Sequence, residues 1–343
     1  MNASAAGPPV TPAVRPLAGR TVLVTGAGGF IASHLIERLV AEGAVVRAFR
    51  RYNSRADLGC LGLIPAETRR RVDVVFGDLQ DEGAVREAMH DREIIFHLGA
   101  LTAVPYSYLH PRHVVETNVL GTLNVLMAAK TLRPGRLIHT SSSEVYGTAM
   151  RVPIDEQHLL RGQSPYAASK IGAEALVESF VRSFDLPAVT LRPFNTYGPR
   201  QSDRAIIPAV ISQALASGEL VLGNLEPERD FLFVTDTVDG FLRAAVADDL
   251  AGETINLGSG SAVTIAELVR TVARLLDRPL TVRTDPSRVR PARSEVGKLL
   301  ADGRKARALL GWEPRVSFED GLRRTIDWVR RNPGYFTPDR YAL

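Results

Sequence analysis

Short apolar runs rich in β-branched residues alternate with helix-like stretches through the first half of the chain. The runs at 21–24, 45–49, 72–76, 93–98 and 136–139 predict buried strands, and the stretches at 33–41, 81–89 and 116–129 predict helices. Strands alternating with helices at this spacing predict a parallel, doubly wound α/β sheet with right-handed crossovers. The carboxyl ends of the strands should therefore share one edge of the sheet.

The alternation loosens in the second half of the chain. Predicted strands at 188–191, 230–234 and 254–257 are mixed with predicted helices at 205–217, 264–276, 303–310 and 318–331. We expect a smaller, mixed α/β domain that closes over the sheet edge. The expected division is a mobile tail at 1–18, a sheet domain at 19–187 with about 230–257, a second domain at 188–229 and 258–332, and a C-terminal tail at 333–343.

A glycine-rich turn joins the first predicted strand to the first predicted helix. It reads Gly26-x-x-Gly29-x-x-Ala32, and alanine at the third position still permits close packing of helix on strand. Glycine lets the backbone approach a pyrophosphate, and the helix N-terminus supplies amide donors. Strand, turn and helix in this order are typical of a Rossmann-type site for NAD or NADP.

Arg50 and Arg51 stand where the second predicted strand ends. An acidic residue at this point would bind the ribose 2′-hydroxyl of NAD. Two arginines suit a 2′-phosphate better, which favours NADP. If both side chains instead face solvent, the cofactor is NAD, so the sequence leaves the two dinucleotides open.

Two polar clusters suited to proton transfer follow the fifth predicted strand. The first is Ser142-Ser143-Glu144, at the predicted strand edge, and the second is Tyr166-x-x-x-Lys170. Residues four apart share one face of a helix, so Tyr166 and Lys170 can enter the same pocket. An ammonium beside a phenol lowers the pKa of the phenol, which a tyrosine base requires near neutral pH.

Composition and charge narrow the class of protein. The 343 residues carry a net charge of +4, but the basic residues are scattered without interleaved aromatics, so a solvated surface is favoured over nucleic-acid binding. No apolar run is long enough to cross a membrane. The single cysteine, Cys60, fits a reducing cytoplasm, and no histidine or cysteine spacing typical of a metal site occurs.

The motifs together resemble the extended short-chain dehydrogenase/reductase family over residues 19 to about 332. They are Thr25-Gly26-x-x-Gly29-x-x-Ala32, Gly77-Asp78-Leu79, His97-Leu98-Gly99-Ala100, Asn118, Tyr166-x-x-x-Lys170, Arg192-Pro193-Phe194-Asn195-Thr196-Tyr197-Gly198-Pro199 and Arg290-Pro291. The resemblance implies action on a nucleotide-diphosphate sugar with a tightly held NAD or NADP, reduced and reoxidised within one turnover. It also implies a homodimer, in which helices near 112–130 and 166–183 form a four-helix bundle.

Glu144 is the position that separates activities within that family. The segment Ser142-Ser143-Glu144, before Val145-Tyr146-Gly147, looks like the corresponding segment of the nucleotide-hexose 4,6-dehydratases. Two further segments look most like those of the dehydratases that act on nucleotide N-acetylhexosamines. They are Arg51-Tyr52-Asn53-Ser54 and Gly162-Gln163-Ser164-Pro165-Tyr166. Serine replaces the usual threonine at 142, and Ser143 stands where some dehydratases carry an acid.

The resemblance assigns roles to individual residues. Tyr166, assisted by Lys170 and Ser142, would take the O4 proton; Glu144 would take the C5 proton and, with Ser143 in place of an acid, protonate the leaving C6 hydroxyl. The implied cofactor-binding residues are Gly26, Gly29, Phe30, Ile31, Arg50, Arg51, Asp78, Leu79, Leu98, Ala100, Thr117, Tyr166, Lys170 and Thr196. The implied substrate-binding residues are Thr102, Ser142, Asn195, Arg200, Ile207, Arg229 and Arg290.

Other activities remain open on the sequence alone. The same scaffold carries nucleotide-sugar 4-epimerases and UDP-glucuronate decarboxylases, and a cofactor-binding sensor without turnover belongs to a different class. The intact Ser142, Tyr166 and Lys170 speak against a sensor. Glu144 could also serve as a buried hydrogen-bond partner of the Tyr146 loop, in which case it would not select dehydration.

Overall fold

A computed structural model of the protein describes residues 17–337. The predicted N-terminal tail therefore lies almost wholly outside the described residues, apart from Leu17 and Ala18. Leu17 is buried in the core, and its carbonyl accepts a hydrogen bond from the Arg20 amide. Over residues 17–337, no helix has the length and apolarity that a membrane span requires.

Twelve strands form within this range. They are β1 (Thr21–Thr25), β2 (Val45–Arg51), β3 (Asp73–Gly77), β4 (Ile94–His97), β5 (Arg136–Thr140), β6 (Ala188–Pro193), β7 (Asn195–Tyr197), β8 (Glu219–Leu222), β9 (Glu228–Phe233), β10 (Thr254–Leu257), β11 (Ala262–Thr264) and β12 (Thr281–Thr284).

The α-helices are α1 (Phe30–Ala41), α2 (Ala66–Arg69), α3 (Glu82–Met89), α4 (Val104–Leu109), α5 (Pro111–Val115), α6 (Gly121–Leu132), α7 (Pro165–Phe184), α8 (Ile206–Ala216), α9 (Val234–Val246), α10 (Ile265–Leu276), α11 (Arg304–Leu310) and α12 (Phe318–Arg331). A π-helical turn at Glu116–Leu120 joins α5 to α6. The helix predicted at 116–129 thus begins earlier, at Pro111, because proline is favoured in the first turn of a helix.

Seven parallel strands form the main sheet, in the order β10-β6-β5-β4-β1-β2-β3. The predicted α/β fold class is confirmed. Helices α3, α6 and α7 pack beside one another, as do α1 and α9. Apolar side chains beneath these helices are buried, including Val22 and Val24 on one face of β1 and Leu23 on the other. Because the strands are parallel, β1, β2, β4 and β5 end at the same edge.

The second part of the chain builds two small sheets above that edge. Strand β9 lies between β7 and β11, and β8 pairs with β12. The strand predicted at 230–234 therefore lies outside the main sheet, because β10 already occupies the edge position beside β6. Strand β6 itself belongs to the main sheet, although the sequence-based division assigns 188–229 to the other domain.

A buried ion pair fastens α7 to the main sheet. Arg192 on β6 binds Glu174 on α7 through two hydrogen bonds of 2.9 and 2.5 Å, and the two side chains are 6% and 8% exposed. Arg192 also donates to the hydroxyl of Tyr146 (2.8 Å), which donates to Asn256 on β10 (2.7 Å). Helix, sheet and the segment that follows β5 are therefore held by one polar network.

We expect Glu174→Gln to destabilise the protein by about 3 kcal/mol, because it leaves the buried Arg192 charge without a full partner. Glu178→Gln is the matched control, since Glu178 lies on the same helix and pairs with Arg182 in solvent. Its cost should stay below about 1 kcal/mol. Urea unfolding of both variants measures the difference, and equal costs would contradict a special role for the buried pair.

Candidate active site

A cavity of about 1010 Å³ lies between the carboxyl edge of the main sheet and the two small sheets. Nineteen of the predicted site residues line it: Gly26, Gly29, Phe30, Ile31, Arg50, Arg51, Leu98, Ala100, Thr102, Ser142, Ser143, Glu144, Tyr166, Asn195, Thr196, Arg200, Ile207, Arg229 and Arg290. Four do not line it: Asp78, Leu79, Thr117 and Lys170. The fold thus gathers residues from across the chain at one place.

The glycine-rich turn is shaped by a close approach of two backbone segments. Gly26 has a φ of +67°, and a Cβ there would come within 2.7 Å of the Gly99 Cα. Gly29 begins α1 without any capping side chain, so the first amides of the helix have no side-chain partner there. This geometry fits a pyrophosphate at the helix N-terminus.

Arg50 lies against the same turn. Its guanidinium covers Gly28 so closely that a side chain at residue 28 would collide with it. The Nε and Nη1 atoms are buried without a hydrogen-bond partner among the described residues, and Nη2 lies 4.0 Å from Asp57. A buried guanidinium with free donors beside this turn fits an anionic ligand group. Arg51, by contrast, is exposed.

The two polar clusters meet at the end of β5. Ser142 caps a 3₁₀ turn by accepting from the Glu144 amide (3.2 Å), and its hydroxyl is hydrogen-bonded to the phenol of Tyr166. Lys170, one turn further along α7, donates to the carbonyl of Thr140 at 2.5 Å. Strand β5 and helix α7 therefore hold serine, glutamate and tyrosine together.

The predicted lowering of the Tyr166 pKa is not provided by the described residues. Burial raises the pKa of Tyr166 to about 12; the Ser142 hydrogen bond opposes this shift and the Glu144 charge adds to it. The Lys170 ammonium is directed at the Thr140 carbonyl. With its own neighbours alone, Tyr166 is a protonated phenol at neutral pH, and a further positive charge is needed to make it a base.

Asn118 contributes to the site without facing the cavity. It lies in the π-helical turn, where its amide oxygen accepts from Leu101 (2.7 Å) and its nitrogen donates to the Leu101 carbonyl and to Ser169, both at 2.9 Å. Ser169 precedes Lys170 on α7. Asn118 is part of the family resemblance, which assigns it no role. The contacts of Asn118 fix α7 against the segment that follows β4.

The predicted cofactor residues outside the cavity cluster behind that segment. Thr117 accepts a hydrogen bond from Gln80 (3.1 Å), and Asp78 holds the turn by accepting from the Gln80 amide (3.0 Å). Leu79 is buried next to Gly99 and Gly121. In this structure these three side chains support the cavity wall from behind, and their contacts with a cofactor remain a prediction.

Two arginines on the wall opposite Ser142 and Tyr166 each pair with a glutamate. Arg290 pairs with Glu144 at 3.4 Å, and Arg229 pairs with Glu295 at 3.3 Å. Arg229 is almost fully buried, and its charge also interacts with that of Glu144. Glu295 was not predicted as a site residue. Its only sequence signal is its place in the Arg290 segment.

Arg200 lines the cavity, but two of its three guanidinium nitrogens bond to residues of α1, and its contact with a substrate remains a prediction. Nη2 donates to Glu37 on α1 (2.7 Å) and meets the Nδ1 of His34 at 2.7 Å. Burial and the Arg200 charge lower the pKa of His34 to about 4, so the ring is neutral and can accept. Arg200 has a φ of +70°, and this backbone turn directs its side chain towards α1.

The carbonyl of Arg200 joins two segments that the sequence did not connect with the site. It accepts from the Cys60 thiol (3.3 Å) and from the Tyr335 hydroxyl (3.0 Å). Cys60 and Tyr335 both line the cavity, although Tyr335 falls in the predicted C-terminal tail. No local pattern marks such contacts, because their partners are more than a hundred residues apart.

The fold and this cavity define a dinucleotide-binding α/β protein with a serine, tyrosine and lysine cluster at the sheet edge. The sequence profile of the GDP-mannose 4,6 dehydratase family matches residues 23–325. The chain belongs to this family of nucleotide-sugar dehydratases and epimerases, within the extended short-chain dehydrogenases/reductases.

Individual relatives carry more than one activity. The chain is 33% identical to a UDP-glucose 4-epimerase of Mycolicibacterium smegmatis, with 90% of this chain and 98% of the relative covered. It is 32% identical to a dTDP-glucose 4,6-dehydratase of Actinoplanes sp., with 92% and 99% covered. DesIV, a dTDP-glucose 4,6-dehydratase from Streptomyces venezuelae solved with NAD and TYD bound, superposes with a TM-score of 0.85 at 31% identity, covering 93% and 99%.

We expect the buried Lys170 to give the protein a distinct dependence of stability on pH. Burial lowers the pKa of its ammonium from 10.5 to about 8. Between pH 8 and 10.5 the unfolded chain therefore binds a proton at Lys170 that the folded chain does not. Burying the charged ammonium costs on the order of 3 kcal/mol of folding free energy below pH 8, and this cost is relieved as the pH rises from 8 to 10.5. The free energy of unfolding of Lys170→Met, measured relative to wild type, should be most favourable at pH 7 and should lose this advantage towards pH 10.

Denaturant unfolding at pH 7, 8.5 and 10 measures this difference. Lys298→Met removes a lysine whose side chain is 39% exposed and controls for the general loss of a charge. A Lys170→Met difference that stays flat across these pH values would contradict the lowered pKa.

Proposed function

We propose that this protein is a nucleotide-hexose 4,6-dehydratase that forms a 4-keto-6-deoxy sugar. The observation that supports this choice is the place of Glu144. Its carboxylate lines the cavity on the turn capped by Ser142, whose hydroxyl meets that of Tyr166. Oxidation at C4 needs only the serine, tyrosine and lysine. A carboxylate beside them is required when a carbon acid must also lose its proton.

The cofactor is NAD or NADP, held tightly and recycled within one turnover. The close approach of Gly26 to Gly99, the uncapped N-terminus of α1 and the unpartnered donors of Arg50 support a dinucleotide at this place. When bound, the oxidised nicotinamide would supply a positive charge and the hydride chemistry that oxidation at C4 and reduction at C6 require. Lys170 and Tyr166 would hold the nicotinamide end.

The residues divide the proton transfers between them. Ser142 aligns the C4 hydroxyl, and Tyr166 takes its proton once a positive charge lies nearby. The resulting C4 ketone acidifies the C5 hydrogen, which Glu144 removes. Ser143 is 3% exposed and carries no acid, so Glu144 returns the proton to the departing C6 hydroxyl, which leaves as water. Solvent then supplies the proton that C5 needs when hydride is added at C6, and Tyr166 releases the proton it took from O4, so one water is the net loss.

The substrate we propose is UDP-N-acetylglucosamine or a related nucleotide sugar, on the basis of the motif resemblance. Thr102, Asn195 and Ile207 line the cavity, and Asn195 has a buried Oδ1 atom without a partner among the described residues. Arg229 and Arg290 would receive the diphosphate. Nucleic acids and membranes are not proposed as partners.

We also propose a cytoplasmic homodimer built on the helices near 112–130 and 166–183. Three large apolar side chains on or beside these helices are exposed in the single chain: Val115 at 43%, Leu120 at 49% and Met127 at 41%. Exposed apolar side chains on one helical segment favour burial against a second copy.

A 4-epimerase is the second candidate, because a UDP-glucose 4-epimerase covers nearly the whole chain at 33% identity. The two activities begin with the same C4 oxidation. A dehydratase then loses the C5 hydrogen and the C6 hydroxyl and receives hydride at C6, whereas an epimerase receives hydride at C4 and keeps the C5 hydrogen. Glu144 therefore separates them: an epimerase has no proton for it to remove.

Incubation with UDP-N-acetylglucosamine, dTDP-glucose, GDP-mannose and UDP-glucuronate, followed by mass spectrometry, tests the proposal. We expect one of these nucleotide sugars to lose one water. In Glu144→Gln the rate of water loss should fall by at least about 10³-fold, which is a typical contribution of a general base. Glu178→Gln, on the outer face of α7, should dehydrate at the wild-type rate. Retained water loss in Glu144→Gln would contradict the assigned base, and an epimer of unchanged mass would favour the second candidate.

Arg50→Asp tests the choice of cofactor. Because Arg50 has free donors against the glycine turn, its loss should weaken NADP binding by about tenfold or more relative to NAD. The exposed neighbour provides the matched control, Arg51→Asp, for which we expect a smaller change. Titration of each protein with both dinucleotides measures the ratio; if wild type already holds NAD alone, Arg50 has a structural role.

A further inference from the structure

The ion pair between Glu144 and Arg290 has a feature that the proposed reaction does not use. Arg290 reaches Glu144 through Nη1 alone, at 3.4 Å, and the two side chains are 26% and 12% exposed. Within residues 17–337, Glu144 is the one hydrogen-bond or ion-pair partner of the Arg290 guanidinium. The group proposed as the base is thus occupied by a cation when the chain is alone.

The backbone of this segment is anchored, whereas the Arg290 side chain has a single partner among the described residues. Ser294 bonds to the hydroxyl of Tyr108 (2.6 Å), and Gln163 donates to the carbonyl of Arg293 (3.1 Å). Arg290 therefore lies on an anchored loop at the cavity wall. A rotation of its side chain can move the guanidinium within the cavity without moving the segment.

Arg229 provides the contrast on the same wall. Its side chain is 8% exposed, donates to the Glu228 carbonyl at 3.0 Å and pairs with Glu295 at 3.3 Å. It is held in place by two partners, while Arg290 has one. Of the two arginines that face Glu144, only Arg290 is free to exchange that carboxylate for another anion.

We propose that Arg290 couples diphosphate binding to the release of Glu144. The inference rests on the proposed function, because it takes the ligand to be a nucleoside diphosphate sugar. A partly exposed ion pair made through one nitrogen is weak, whereas arginine binds phosphate oxygens through two parallel hydrogen bonds. The diphosphate draws Arg290 from Glu144, and the freed carboxylate can then accept the C5 proton when a substrate is present.

This coupling must act in both directions. If the diphosphate displaces Glu144 from Arg290, then Glu144 competes with the diphosphate for Arg290. Removal of the Glu144 charge should therefore tighten the binding of a nucleoside diphosphate that has no sugar to react. The tightening should depend on Arg290, which distinguishes exchange of a partner from a general loss of negative charge in the cavity.

The test is titration calorimetry with UDP, and with dTDP in parallel, on the full-length protein as purified. We expect Glu144→Gln to bind the nucleotide about five- to tenfold more tightly than wild type, and Arg290→Gln to bind it more weakly. In the double variant, Glu144→Gln should add nothing to Arg290→Gln. Glu144→Ala removes the same charge and serves as a second variant if Glu144→Gln folds poorly.

Glu295→Gln is the matched control, since Glu295 lies in the same cavity but pairs with Arg229. Any tightening that it causes should persist in the Arg290→Gln background. An unchanged affinity in Glu144→Gln, or a gain that persists without Arg290, would overturn the coupling while leaving the dehydratase proposal intact. Failure of wild type to bind any nucleoside diphosphate would instead overturn both.

Discussion

The hydrogen bond from Lys170 to the Thr140 carbonyl is the contact on which the site depends. It joins the last residue of β5 to the first turns of α7. Together with the hydrogen bond between Ser142 and Tyr166, it fixes these two side chains relative to each other. Asn118 and the Arg192–Glu174 pair brace the same helix at two further points. The shared strand edge brings the groups near one another, and these bonds set their relative orientation.

Burial controls the chemistry of the groups held in this way. It raises the pKa of Tyr166 to about 12 and lowers that of Lys170 to about 8, so both move towards their neutral forms. At neutral pH Tyr166 is therefore a protonated phenol and a poor base, whereas Lys170, whose pKa still lies above 7, keeps its charge. The site thus favours proton transfer when further charges enter it, and the arginines on the opposite wall give a second reason why ligand charge matters. Reactivity in this account is conferred by the bound ligands, on a frame that the chain prepares.

Local patterns were sufficient for the main sheet and the glycine turn. Apolar runs with short glycine and polar breaks predicted β1 to β5, and strand ends that share an edge predicted that Ser142 and Gly26 meet. Glu144 and Tyr166 could be placed for the same reason. Boundaries were less accurate: α1 starts at Phe30, three residues before the predicted start, because Gly29 rather than Ser33 ends the turn.

Long-range contacts account for what the sequence did not predict. Arg200 was assigned to the substrate by the resemblance, and no local pattern indicates that it also binds Glu37, more than 160 residues away. The pKa of Tyr166 was expected to fall because Lys170 is near in sequence, yet the direction depends on burial and on where the ammonium points. Neither Tyr335 nor Glu295 carries a local pattern that marks it as part of the site.

The central claim is that the hydrogen removed from C4 is returned at C6 after water is lost. UDP-N-acetylglucosamine labelled with deuterium at C4 tests it directly, with the product examined by NMR. The account predicts that deuterium appears in the C6 methyl group of a 4-keto-6-deoxy sugar. Deuterium that reappears at C4, in a sugar that still carries its C6 hydroxyl, would contradict it.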